Sequence, residues 1–168
     1  MQIDFRQPTE KDLDRIMTIE RSGFSPAEAA SEKAMLERIQ QIPDSFLVAI
    51  NPEQAILGYV VGPVVSERYL TDELFEKTIP NPEIGGFQTI LSLAVAPEYY
   101  NFGIASRLLT GLAQISQEKK RAGITLTCLA NLIPFYQKNH YQVEGVSEST
   151  HANEVWYNLV RDFSKEIV

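Results

Sequence analysis

The residues with the clearest chemical content lie between Leu91 and Leu109. An apolar run, Leu91-Ser92-Leu93-Ala94-Val95-Ala96, meets Pro97, then a loop containing Gly103, then a helical pattern from Ile104 onward. A strand feeding a loop and then a helix start presents unpaired backbone N–H groups at the positive end of the helix dipole. That is a site for phosphate oxygens. Asn101 accepts a left-handed backbone better than most residues other than glycine, so the loop can curl at that position. The same pattern also fits a plain strand–turn–helix in which Gly103 only closes the turn.

The bulk sequence limits which chemistry such a site can serve. The 168 residues fit one domain, 1–168, large enough to bury a core. A net charge of −7 provides no basic field for nucleic acid. The one cysteine, Cys128, rules out an internal disulfide and points to a reducing, cytoplasmic setting. No apolar run approaches the roughly 20 residues of a membrane helix. His140 and His151 are isolated from each other and from Cys128, which is not metal-binding spacing, so no metal is expected.

The elements that must position the loop can be read from periodicity and turn residues. Ile3–Arg6 reads as a strand, followed by a helix through Leu13, Ile16, Met17 and Ile19 that ends at Ser22–Pro26. A second helix is expected from Ala27 to Gln41, then strands at Phe46–Ile50 and Ile56–Val65. A polar stretch, 66–86, contains a short helix at Thr71–Lys77. Gln88–Val95 reads as one continuous strand. The long helix runs from Gly103 to Arg121 and ends at Gly123. Ile124–Cys128, a short helix at Leu132–Asn139, and strands at Tyr141–Glu148 and Val155–Phe163 complete the chain. The order implies a mixed α/β sheet with a parallel crossover around the long helix.

Three segments together resemble the GNAT superfamily of N-acyltransferases. Tyr100-Asn101-Phe102-Gly103-Ile104-Ala105, led in by Leu93–Pro97 and continued by Ser106-Arg107-Leu108-Leu109, is similar to its acetyl-CoA segment. In that segment Tyr100 stands for the usual Arg or Gln, and Asn101 for a frequent Gly. Leu126 through Tyr141, containing Cys128 and Pro134-Phe135-Tyr136-Gln137 but with His140-Tyr141 in place of a Gly-Phe pair, and Ile19 through Pro26 resemble the arylalkylamine (serotonin) N-acetyltransferase branch. The resemblance implies a three-layer fold: a mixed, mostly antiparallel sheet of about seven strands with four helices on both faces. It implies acetyl-CoA as cosubstrate, contacted by Leu93, Ala94, Val95, Tyr100, Asn101, Phe102, Gly103, Ile104, Ala105 and Ser106. A bulge near Leu93–Val95 frees backbone groups, with the Val95 N–H on the thioester carbonyl. Tyr136 matches the general acid that protonates the departing thiolate.

The branch's two strand histidines correspond here to Thr89 and Leu91, so its histidine relay does not carry over. The base is then open among Glu20, Glu28 and His151, the last reading as an exposed loop residue. Asn131 either contacts the cofactor or caps the helix after it. The expected reaction is direct acetyl transfer to a primary amine of a small molecule, with a homodimer admitted. The alternatives are a non-catalytic acyl-CoA sensor, or acetylation of a protein N-terminus or lysine.

Overall fold

A computed structural model describes residues 1–166. Four strands form one sheet in the order β1 (Asp4–Arg6), β2 (Phe46–Ile50), β3 (Ile56–Val61) and β6 (Ser92–Val95). Five form a second, in the order β4 (Val64–Val65), β5 (Phe87–Ile90), β7 (Gly123–Cys128), β9 (Tyr157–Asp162) and β8 (Gln142–Val146). Every ladder is antiparallel except β5–β7, which flank the crossover helix α3 (Ile104–Glu118). The mixed α/β, three-layer architecture is as expected. There are nine strands in two sheets among the described residues, where about seven in one sheet were anticipated.

Alternation along β2 explains the layers. Leu47 and Ala49 join the cluster beneath α3 and α4 (Ile133–Lys138), with Leu108, Leu112 and Tyr141. Phe46, Val48 and Ile50 join the cluster beneath α1 (Leu13–Gly23) and α2 (Glu32–Gln41), with Ile16, Met35 and Ile39. Successive side chains point to opposite faces, so one fully buried strand serves two cores.

Several expected boundaries shift for physical reasons. The second helix starts at Glu32 rather than Ala27, because the Ser31 hydroxyl caps it by accepting from the Ala34 N–H at 3.0 Å. Residues 25–30 instead fold onto α1, where the Ala30 N–H donates to Glu20 Oε2 at 2.8 Å. The long helix ends at Glu118, not at Gly123. Lys120 takes the left-handed turn (φ 56°), and the Arg121 N–H returns to the Ser116 carbonyl at 2.9 Å. Arg121 is buried and donates to the Pro82 and Gly85 carbonyls, which fixes this early exit. Among the described residues, no helix is long and apolar enough to cross a membrane.

The break that matters for the site falls inside the expected strand 88–95. β5 stays with β7, while β6 crosses to β3, and Leu91 lies between them. Leu91 donates its N–H to the Val61 carbonyl at 2.8 Å, yet Ser92 is the register partner of Val61. Two residues thus oppose one, which is a bulge. The bulge lies at Leu91–Ser92, not at Leu93–Val95, which keep regular register with Val60, Tyr59 and Gly58. Beyond it the sheets diverge and leave one side of β6 without a paired strand among the described residues.

Candidate functional site

The open side of β6 has a definite polarity. The Ala96 N–H donates to the Leu57 carbonyl at 2.8 Å, so alternation turns the Ala94 backbone toward β3 as well. Leu93 and Val95 then direct their N–H and C=O groups into the opening between the sheets. Ala94 differs from the expectation here: its backbone serves the ladder, and its side chain lines the opening. Gly58 on β3 permits the close approach, since a Cβ there would sit 2.7 Å from the Ala94 carbonyl oxygen.

The opening continues into a cleft of about 480 Å³ at the start of α3. Leu93, Ala94 and Val95 form one wall, and Tyr100, Asn101, Gly103, Ile104, Ala105 and Ser106 form another. Tyr136 and Phe135 of α4 close the third. Asn101 and Gly103 both adopt left-handed backbone (φ 70° and 73°), which bends the loop into the helix. The first-turn N–H groups of α3 have no intrahelical acceptor, and no acidic side chain stands in that turn. Of the residues expected to contact the cofactor, Phe102 alone stays outside the cleft lining, its ring 54% exposed.

A smaller chamber of about 80 Å³ lies behind this cleft. Phe24, Leu93, Leu132 and Tyr136 line both spaces, so they form the partition between them. The chamber is otherwise walled by Phe75, Leu91, Cys128, His151 and Trp156, with Glu28 and Ser149 as polar elements.

Tyr136 is buried and sits edge-on to Phe135 and Tyr141, at centroid distances of 5.1 and 5.5 Å. Burial raises its phenol well above the ordinary tyrosine value, so the proton is held. Burial also pushes the Cys128 thiol up to about 11, which disfavours a thiolate nucleophile. Glu20 lines neither space. It is buried and accepts from the Tyr59 hydroxyl, from Ser92 Oγ at 3.2 Å and from the Ala30 N–H, so it holds α1 to β3, β6 and the 25–30 loop. Thr89 turns away to donate to the Pro63 carbonyl at 2.6 Å, whereas Leu91 faces the chamber. Asn131 lines neither space.

His151 differs most from the sequence reading. It lines the chamber, stacks on Phe75 at 5.5 Å and 10°, and packs against Trp156 at 5.9 Å. Glu28 and Glu154 meet nearby. Burial opposes ionisation of Glu28, but hydrogen bonding from Glu154 and Ser25 holds it below the usual carboxylate value. Hydrogen bonding to that carboxylate raises Glu154 in turn. Phe75 and Trp156 were expected within a short helix and a strand and gave no sign of a site; Phe75 ends a 3-10 turn and Trp156 lies just before β9, and only tertiary contacts bring both to His151. The turn composition around His151 gave no sign that tertiary contacts would enclose it. Among the described residues, no group of three or more His, Cys, Asp or Glu could hold a metal ion.

Comparison with known proteins agrees with this geometry. No curated protein matches the sequence. The GphF GNAT-like decarboxylase, solved with isobutyryl-CoA, superposes with a TM-score of 0.79 at 16% identity, covering 95% of this chain and 98% of that one. Ard1 from Thermoplasma volcanium gives 0.75 at 16% identity, covering 96% and 98%. Arabidopsis thaliana Naa50, solved with the bisubstrate analogue CoA-Ac-MVNAL, gives 0.72 at 14% identity, covering 97% and 100%. Such identities bear on the fold alone. The family model described as "Acetyltransferase (GNAT) domain" matches residues 43–143, from just before β2 through the start of β8. With that match over more than half its length, the chain belongs to the GNAT acetyltransferases.

Proposed function

We propose that the protein transfers an acetyl group from acetyl-CoA directly to the primary amine of a small molecule. The observation that carries this reading is the shared partition. Leu93 and Tyr136 stand between a larger cleft with backbone donors and a smaller chamber of about 80 Å³. One side suits the pantetheine arm and pyrophosphate of the cosubstrate, and the other suits an acceptor.

The cleft residues divide the work. Leu93 and Val95 offer ladder-like hydrogen bonds to the pantetheine amides, with the Val95 N–H directed at the thioester carbonyl. Such a donor stabilises negative charge as it develops on the oxygen. The first turn of α3, with Asn101 and Gly103 bending the approach, receives the pyrophosphate on backbone N–H groups. Tyr100 supplies no cation there, so affinity rests on backbone donors and the helix dipole. Tyr136, held protonated by burial, gives its phenol proton to the sulfur as the C–S bond breaks.

The acceptor side favours a small amine. The chamber is lined by Phe24, Phe75, His151 and Trp156 from three separate loops, and its roughly 80 Å³ is small beside the cleft of about 480 Å³. Its aromatic lining suits the flat amines of the arylalkylamine-type branch. The test is release of free CoA thiol from acetyl-CoA with n-butylamine, benzylamine and a short peptide bearing a free N-terminus. Release with a small amine and none with the peptide supports the proposal. Release with the peptide alone would assign protein N-terminal acetylation instead. Acetyl-CoA binding with no release from any amine would assign a sensing role.

A further inference from the structure

We infer that His151 Nε2 accepts the proton that the incoming ammonium must lose. This inference rests on amine acetylation as the reaction. Nε2 is buried and has no hydrogen-bond partner, on a ring that lines the acceptor chamber. In the tautomer that carries its proton on Nδ1, Nε2 is an acceptor free to take an N–H donor.

A second, independent observation is how the residue is placed: its ring stacks on Phe75 at 5.5 Å and packs against Trp156 at 5.9 Å, and hydrogen bonds fix its backbone. Trp156 Nε1 donates to the His151 carbonyl at 2.7 Å, and the His151 N–H donates to Ser149 Oγ at 3.2 Å. Ser149 Oγ in turn donates to Asp72 Oδ1 at 2.6 Å, which ties this loop to the turn that carries Phe75. Directly after His151, Ala152 adopts left-handed backbone (φ 57°), which is strained for alanine, and Asn153 follows in the same region, which asparagine tolerates. Strain of this kind collects where a side chain must be held in place.

The proton inventory closes. The ammonium gives one proton to Nε2, and its lone pair forms the C–N bond as the carbonyl π electrons move to oxygen. Collapse re-forms the carbonyl and breaks the C–S bond, and the sulfur takes the Tyr136 proton. The surplus proton on the new amide nitrogen restores the phenol, and the imidazolium proton leaves to water. The titratable groups facing the ring are Glu28 from the α1–α2 loop, Glu154 from its own loop, Asp72 through Ser149, and Tyr136 and Cys128 across the chamber.

The experiment uses the whole protein with acetyl-CoA and benzylamine, comparing wild type with His151→Gln and His151→Ala. Acetyl-CoA affinity should stay within about twofold in both variants. His151→Gln should lower kcat about 100-fold. Added imidazole should restore part of the His151→Ala rate in proportion to its concentration. A His151→Gln rate within threefold of wild type, or a His151→Ala rate that imidazole does not raise, overturns the inference and leaves amine acetylation standing. Loss of acetyl-CoA binding in both variants makes His151 structural and also overturns it. Absence of turnover by wild type with every amine tested overturns the acetylation reading, and this inference with it.

Discussion

Replacing Tyr136 by Phe separates chemistry from architecture at the partition. The ring is 6% exposed and makes two edge-to-face contacts, with Phe135 at 5.1 Å and Tyr141 at 5.5 Å. Phenylalanine keeps both contacts, each worth roughly 0.5–1.5 kcal/mol, so stability should change by less than about 1 kcal/mol. Alanine removes the ring and should cost about 3–5 kcal/mol. The hydroxyl is a different matter. Loss of a positioned acid lowers turnover by about 10²–10⁴-fold, or roughly 2.7–5.4 kcal/mol of barrier. Urea midpoints give the stability of each variant, a thiol-release assay with benzylamine gives kcat, and calorimetry gives the acetyl-CoA Kd. Tyr136→Phe should retain its urea midpoint and Kd while kcat collapses. Because burial raises the phenol, wild-type activity should show no loss from this group through pH 10, where exposed tyrosines ionise. A Tyr136→Phe enzyme within threefold of wild type at every pH would refute the acid role.

Three further outcomes follow from the geometry. Gly58→Ala places a Cβ 2.7 Å from the Ala94 carbonyl oxygen and 3.2 Å from Val95 Cα; it should cost about 2 kcal/mol in urea unfolding and weaken acetyl-CoA binding in calorimetry by displacing β6. Tyr100→Arg puts a cation at the exposed lip of the cleft, where Tyr100 is 48% exposed; acetyl-CoA affinity should rise a few-fold at low salt, and the gain should fade as ionic strength rises. Tyr59, Tyr136 and Tyr141 all have phenols raised by burial. Their folded values exceed the unfolded one, so the stability they confer is complete below about pH 10 and is lost as pH climbs beyond it. Urea midpoints should therefore fall steeply above that pH, and less steeply in Tyr136→Phe.

The residues show why some of this was readable from sequence and some was not. The 91–109 stretch was legible because Pro97, Gly103 and the apolar spacing of Ile104, Leu108 and Leu112 are local signals, and local geometry then builds the helix-start cradle. The break at Leu91 was not legible. An unbroken apolar run does not reveal that β5 and β6 pair with different strands, which long-range pairing alone decides. The second helix was extended to Ala27 because its composition permits helix. Ser31 and the buried Glu20 carboxylate overrode that propensity. Glu20 itself, a plausible base by its position in the chain, turned out to hold elements together. His151, which looked like an exposed loop residue, is enclosed by Phe75 and Trp156. Loop side chains take their environment from tertiary contacts that carry no period.

The central claim is that the divergence of the two sheets beside β6, together with the start of α3, forms an acyl-CoA site. Calorimetric titration of the whole protein with acetyl-CoA tests it most directly. The account predicts one site per chain with a Kd of roughly 1–100 μM, lost when Val95→Pro removes the N–H directed into the opening while circular dichroism stays unchanged. No binding heat up to millimolar acetyl-CoA, or a Val95→Pro protein that folds and binds as wild type does, would contradict it.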